Sequence, residues 1–227
     1  MLKKWEQLPK EMQVPEVKEY YDILSRKKGS LLFKRAFDIV GGTALLVLIS
    51  PVLAVIAVRI VQESGSPVMF RQERITQYGK SFRIHKFRTM RNDNAGTQIT
   101  TDADSRVTKI GETLRKYRLD ELPQLLDIIS GNMSFVGTRP EVPEFVSQYT
   151  DEMKATLLLP AGVTSEASIQ YKDEAELLKN VKDEDVHAFY VEKILPEKMK
   201  YNLQSIRNFS CWNDWKTMLK TVGIVAK

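Results

Sequence analysis

The chain has 227 residues, 43% hydrophobic and 28% charged, with 34 Lys and Arg against 29 Asp and Glu and a formal net charge of +5. That length suits one main domain with a real core plus a smaller appendage, and the composition excludes both a disordered chain and a polytopic membrane protein. The surplus of cations favours an anionic partner without choosing among nucleic acid, anionic lipid headgroups and phosphorylated small molecules.

The first thirty residues are polar and basic, yet Val17, Tyr20, Tyr21 and Leu24 recur at helical spacing after Pro15, a residue suited to a first helical turn. The pattern predicts an amphipathic helix, and Glu11, Glu16 and Glu19 set it apart from the short basic start of a signal peptide. From Ile39 to Val58 the chain then runs twenty residues without a charge. At about 1.5 Å per residue this just reaches across a hydrocarbon core of about 30 Å. Pro51 follows Ser50 in the middle of the run, removing one helix hydrogen bond and freeing a carbonyl one turn back that the Ser50 hydroxyl can re-satisfy. Lys34 and Arg35 precede the run and Arg59 follows it, and basic residues are retained on the cytoplasmic side. A re-entrant hairpin and a single span kinked at the proline both accommodate these residues.

After Arg59 the composition turns to mixed polar sequence with turn signals at Gly65-Ser66-Pro67 and Gly79-Lys80. Val68-Met69-Phe70 and Ser81-Phe82-Arg83-Ile84-His85 read as short strands about the Gly79 turn, residues 92–106 as a polar loop, and residues 111–130 as helix in one or two pieces around Pro123. Farther on, Val186, Phe189, Tyr190 and Ile194 predict a helix capped by Asp185, and Met199, Leu203 and Ile206 another after Pro196. Cys211 has no disulfide partner and reads as a small semi-buried hydrophobe in a reducing compartment. Trp212, Trp215, Met218, Leu219 and Val222 form an apolar stripe broken by Lys216 and Lys220, suited equally to a membrane interface and to core packing.

The densest chemical cluster is residues 115–124, where Asp120 and Glu121 sit among Arg115, Lys116 and Arg118 and just before Pro123. Pro123 favours a first helical turn, which would place both acids beside the exposed amides of a helix N-terminus, a place that attracts phosphate and magnesium. The same pair would serve to complement the helix dipole while Leu119, Leu122, Leu126 and Ile129 pack inward, so by itself it decides nothing. Its company is more telling: Lys86-Phe87-Arg88-Thr89-Met90 upstream, and residues 131–140, ending Gly137-Thr138-Arg139-Pro140, downstream.

These blocks, with Lys34-Arg35, Phe37-Asp38, Ser50-Pro51 and Phe70-Arg71-Gln72 with Arg74, resemble the bacterial sugar transferase family, the monotopic phosphoglycosyl transferases that begin bacterial capsule, O-antigen, exopolysaccharide and glycoprotein glycan assembly. The resemblance covers residues 34–162 strongly and reaches the end more loosely, through Asp214 and residues 217–222. It implies an α-rich α+β fold: a re-entrant membrane helix hairpin bent at Ser50 and Pro51, interfacial helices, and a small globular catalytic domain with few short strands. The corresponding division is residues 1–30 as an amphipathic extension, 31–60 as the membrane helix and 61–227 as the catalytic domain. It further implies that Asp120 is a nucleophile, attacking the sugar-bearing phosphate of a UDP-sugar, releasing UMP and passing the phosphosugar to polyprenyl phosphate. An ionised carboxylate needs no separate base for that attack. The family's Mg²⁺ would meet Asp120 and Glu121, with Glu121 as metal contact or activator of the acceptor. Arg115 and Arg139 would bind phosphate oxygens. Lys86 and Arg88 could do the same or form structural ion pairs, and His85 is assigned no role. Thr138, where the family usually has proline, and Pro160-Ala161-Gly162-Val163-Thr164-Ser165, in place of Pro-Gly-Ile-Thr-Gly, depart from the pattern and bear on details of substrate binding.

The implied setting is the cytoplasmic face of the bacterial inner membrane, with UDP-sugar, polyprenyl phosphate and membrane lipids as partners. Apart from the resemblance, the segment from Val17 to Leu24 could lie on lipid, pack on the domain or pair with a second copy in a homodimer. Nucleic acid is not expected, because cations and acids are nearly balanced and no aromatic-basic recognition motif appears. The competing reading is a membrane-tethered, non-catalytic module whose basic surface docks an anionic partner. It predicts no UMP release and indifference to Asp120→Asn. The identity of the sugar is not legible.

Overall fold

Both ends of the apolar stretch rest on the same polar body. In the computed structural model, which describes residues 2–91, 106–172, 177 and 185–225, a single helix α2 runs Lys28–Ser64. It is long and apolar enough to cross a membrane, and it starts before and ends after the expected 31–60 segment. Pro51 lies inside it without ending it. The carbonyl that Pro51 leaves unpaired is that of Val47, and the Ser50 hydroxyl donates to it at 2.8 Å, as the sequence predicts.

Near its start, α2 is pinned by three consecutive charged grips. Lys34 Nζ donates to the Val136 carbonyl at 2.8 Å and pairs with Asp214 at 2.6 Å. Arg35 donates to the Ile128 and Ile129 carbonyls at 2.7 and 2.8 Å, satisfying the end of the helix Leu125–Ser130, where the dipole favours a cation. Asp38 Oδ1 accepts from the Ser134 hydroxyl at 3.0 Å and the Phe135 amide at 3.1 Å. Near its end, Ile56 and Ile60 are buried with Phe87 and Leu114, and Glu63 accepts from the amides of Lys109 and Ile110 at 2.7 and 2.9 Å. The face turned away from these contacts leaves Val40, Val47, Leu48, Val52 and Val55 exposed.

The globular body is assembled from short pieces. Strands β1, Met69–Ile75, and β2, Ser81–Phe87, form an antiparallel hairpin in register from Met69 opposite Phe87 to Ile75 opposite Ser81. Its turn needs positive φ, at Tyr78 (61°) and Gly79 (72°). Helix α3, Lys109–Lys116, leads through a 3₁₀ turn, Leu119–Gln124, into α4, Leu125–Ser130. The sequence placed Pro123 at a helix start; it lies inside the 3₁₀ turn instead. The altered phase buries Leu125 and Ile128 and leaves Leu126 exposed, correcting the expectation that Leu126 packs inward. Phe82, Ile84, Leu125, Ile128, Met133 and Ala161 form the core between hairpin and helix.

Strand β3, Met133–Val136, pairs in parallel with β4, Ala161–Thr164, with α5, Pro143–Val146, in the crossover and α6, Glu166–Gln170, following β4. Helix α7, Val186–Phe189, continues through a π turn, Tyr190–Ile194, into α8, Leu195–Arg207, and α9, Cys211–Val225, closes the described chain. Asp185 precedes α7 but its side chain makes no capping bond, which corrects that expectation. The expected loop at residues 92–106 lies outside the described residues except for Arg106.

Helix α1, Pro15–Ser25, starts on its proline as predicted. Val17, Tyr20 and Leu24 are buried against Ala155, Leu158, Leu203, Ile206 and Phe209, so the amphipathic extension packs on the body. In the second pair of strands, a Cβ on Gly162 would lie 2.1 Å from the Gly137 amide nitrogen. Gly162→Ala is therefore expected to abolish cooperative folding. A circular-dichroism melt with wild-type midpoint and amplitude would show that the strands can separate to admit it.

Candidate active site

The turn holding the two acids is created by Arg118, whose φ of 55° is left-handed. It redirects the chain after α3 so that residues 119–124 wind as a 3₁₀ turn against β2. Asp120 and Glu121 are consequently 2% and 9% exposed. Two adjacent buried carboxylates are tolerable only if cations reach them. Lys86, from the end of β2, brings Nζ to 2.7 Å from Asp120 and 3.6 Å from Glu121. Arg139, from the loop after β3, straddles Glu121, with Nη2 at 2.5 Å from Oε1 and Nη1 at 3.4 Å from Oε2. Burial alone would raise the Glu121 carboxyl, but Arg139, Lys86 and Arg118 outweigh it and hold the group well below the usual carboxylate range. The surrounding cations thus favour the ionised form of Glu121.

Asp120 differs from its neighbour. Its second oxygen, Oδ1, is buried with no hydrogen-bond partner, and so is Gln124 Oε1 one turn farther on. Buried acceptors are normally paired, and two of them in one short turn mark a place that a ligand or cation completes. Among the described residues no three His, Cys, Asp or Glu side chains converge on one metal position. A magnesium ion is commonly held by one or two carboxylates plus substrate phosphate oxygens. Asp120 and Glu121, adjacent carboxylates in a turn that leaves an acceptor unpaired, fit that requirement.

The remaining candidates lie elsewhere. Arg88 is buried and donates to the Ser64 carbonyl and hydroxyl, both at 2.9 Å, and to the Gly65 carbonyl. Through Nη2 it therefore ties off the end of α2. Arg115 donates through Nε to the Thr89 hydroxyl at 2.9 Å, bracing α3 on the segment after β2. His85, left without a role, donates its backbone amide to Asp127 Oδ2 and shares a 2.8 Å bond between Nδ1 and Asp127 Oδ1, buckling β2 to α4 next to Lys86. Sequence reading also passed over Arg118 and Gln124. Arg118 stands in the cationic run and Gln124 is four residues after Asp120, but neither position reveals a left-handed turn or an orphaned oxygen.

Fold and site together define a helix-rich α+β domain that carries a cation-clamped carboxylate dyad and one long apolar helix. Residues 29–227 match the model of the bacterial sugar transferases, and the chain belongs to that family. It is similar to the UDP-glucose:undecaprenyl-phosphate glucose-1-phosphate transferase of Escherichia coli (strain K12), 38% identical over 205 residues that cover 86% of this chain and 41% of that protein. It is similar also to the UDP-N-acetylgalactosamine-undecaprenyl-phosphate N-acetylgalactosaminephosphotransferase of Aeromonas hydrophila, 34% identical over 85% of this chain and 43% of that protein. A third relative, the galactosyl transferase CpsE of Streptococcus agalactiae serotype III (strain NEM316), is 32% identical over 90% of this chain and 44% of that protein. The chain thus spans about two fifths of the length of these relatives.

The low proton affinity of Glu121 has a measurable sign. Its folded value lies below the ordinary 4.5, so its contribution to stability is complete above that value and fades as pH falls through the depressed one. Melting curves of wild type and Glu121→Gln should keep a constant gap from about pH 6 to about pH 8 and converge below about pH 4. A gap that widens on acidification would mean that the carboxyl gains a proton on folding.

Proposed function

We propose that this chain is the catalytic part of a phosphoglycosyl transferase, moving a sugar 1-phosphate from a UDP-sugar to polyprenyl phosphate with release of UMP at the cytoplasmic face of the bacterial membrane. The observation that carries the reading is the buried Asp120 oxygen left free on a carboxylate paired with Lys86, next to the Glu121 that Arg139 clamps. Family membership and the relatives, named as transferases acting on undecaprenyl phosphate, support it.

In this mechanism Asp120 Oδ1 attacks the phosphorus that bears the sugar. The bond from that phosphorus to the bridging oxygen breaks, and UMP leaves with the electron pair. A phosphate oxygen of the polyprenyl carrier then attacks the same phosphorus, the bond to Asp120 breaks, and the carboxylate is restored as polyprenyl diphosphosugar departs. Lys86 and Arg139 offset the repulsion between carboxylate and diphosphate. Glu121, held ionised, orients Arg139. Mg²⁺ would be held by Asp120 and Glu121 and, when bound, would supply further charge neutralisation at the diphosphate. Arg88 Nη2 is engaged at the end of α2, so no step is assigned to it.

Two features support a re-entrant, monotopic placement. A spanning helix would put its ends on opposite faces of a hydrocarbon core about 30 Å thick, whereas Lys34 and Ile60 of α2 are buried against one body. On α9, Trp212, Leu219 and Val222 are all more than 60% exposed, so the stripe does not serve as core packing. Trp215 touches Phe37 of α2 with ring centroids 5.0 Å apart, making the stripe continuous with the apolar helix. Lys216 and Lys220 between the aromatic and aliphatic positions suit an anionic headgroup layer.

Detergent- or nanodisc-purified protein with polyprenyl phosphate, Mg²⁺ and a panel of UDP-sugars is expected to release UMP with at least one donor. Asp120→Asn should lower turnover by at least about a thousandfold, and intact mass should reveal a phosphosugar adduct on the wild type alone. Release that survives the substitution, or a folded protein silent toward every donor, would favour the tethered module. Cysteines placed singly at Lys28 and Gln62 in a Cys211→Ser background should both react with an impermeant maleimide in inverted vesicles and neither in spheroplasts. Reaction of one from each side would establish a span.

A further inference from the structure

Arg139 faces Glu121 from the loop after β3, and the structure shows what grips that loop from behind. The Pro140 carbonyl accepts from Arg74 Nη1 at 3.1 Å, and the Glu141 carbonyl accepts from the Ile75 amide at 2.9 Å. The Glu141 side chain then enters a buried polar cluster supplied by the C-terminal helices. Tyr190 donates its hydroxyl to Glu141 Oε1 at 2.8 Å, and Lys198 Nζ donates to the Tyr190 oxygen at 2.9 Å and lies 3.5 Å from the same carboxylate oxygen. Glu141, Tyr190 and Lys198 are all less than 7% exposed.

Eight residues apart on an unbroken α-helix, Tyr190 and Lys198 would be turned about 80° from one another. The π turn Tyr190–Ile194 lies between them and changes that phase, so both reach the same carboxylate. Such bulges occur often at functional sites. Stability alone gives a weak account of the cluster, because apolar residues of similar volume often replace a buried ion pair at no loss. A guanidinium that must meet a carboxylate and a diphosphate is far less tolerant, since a displacement of about 1 Å can cost about a hundredfold in rate.

We infer that Glu141, Tyr190 and Lys198 are positioning residues that hold the Arg139 loop against the dyad, so that the C-terminal helices set the affinity of the site for the donor's diphosphate. This rests on the reading of Arg139 as a diphosphate ligand.

The test uses the full chain in nanodiscs, with UMP release followed against UDP-sugar and against polyprenyl phosphate in turn. Tyr190→Phe, which removes one hydroxyl, is expected to raise the KM for UDP-sugar about tenfold while leaving the KM for polyprenyl phosphate within about twofold and the Tm within a few degrees. Lys198→Met should behave likewise and Lys198→Arg should stay near wild type. Combined with Arg139→Ala, Tyr190→Phe should add no further loss. Effects that add independently to those of Arg139→Ala, a fall in kcat and Tm with both KM values unmoved, or wild-type kinetics throughout would each overturn the inference. The Lys198 pair carries the same comparison if Tyr190→Phe does not fold. Calorimetric binding of UDP, which needs no turnover, separates this inference from the transferase reading if wild type releases no UMP. Weaker binding in Tyr190→Phe with no further loss in the double variant supports the positioning role, and unchanged binding refutes it.

Discussion

Two neighbouring carboxylates buried in one tight turn repel each other and lack water to screen them, so the rest of this fold is arranged to bring positive charge to them. Lys86 arrives from the hairpin and Arg139 from the loop after β3. These two elements are separated in sequence by the dyad itself, and each must be held at ångström precision. The buckle from Asp127 to His85 holds the first, and the grip on Pro140 and Glu141 holds the second. The charge constraint therefore reaches well beyond the residues that could touch a substrate.

The same constraint produces asymmetry within the dyad. Glu121 has two cationic partners that favour its ionised form, whereas Asp120 keeps one oxygen without a protein partner. A carboxylate satisfied on both oxygens makes a poor nucleophile, because attack must first break a hydrogen bond. On the proposed reading, the acid that reacts is the one the fold leaves incomplete, and its neighbour serves to position charge.

What could be read beforehand follows the range over which each feature acts. The Ser50 bond to the Val47 carbonyl is local, set by Pro51 alone, and was foreseeable. The hairpin around Gly79 was foreseeable too, since both strands and turn are encoded within twenty residues. Lys86, Arg88 and Arg115 were equivalent as cations in the sequence; only tertiary contacts send Lys86 to the dyad, Arg88 to Ser64 and Arg115 to Thr89. The apolar face of α1 was plain, but lipid, a second copy and the body of the domain all satisfy an amphipathic stripe equally, and only the fold reveals that Ala155, Leu158 and Leu203 cover it. The exposure of Leu126 was missed because a 3₁₀ turn before α4 shifts the helical phase, and a proline at position 123 reads the same in either helix type.

The coupling of anchor to chemistry runs through α4. Its N-terminal end continues directly from the dyad turn, and the carbonyls of Ile128 and Ile129 near its other end are gripped by Arg35 at the base of the apolar helix. Only Leu125, Leu126 and Asp127 lie between that turn and Ile128, a length of about 6 Å. A rigid link that short fixes the depth of Asp120 relative to α2. On the proposed reading this matters because one substrate carries its phosphate on a membrane-bound chain and cannot travel far from the headgroup layer. The other substrate is free in water and can approach from any side. The fold has only to bring the carboxylate to the lipid phosphate, and a charged side chain at the foot of the anchor, bonded to the helix that follows the dyad, is sufficient to do so.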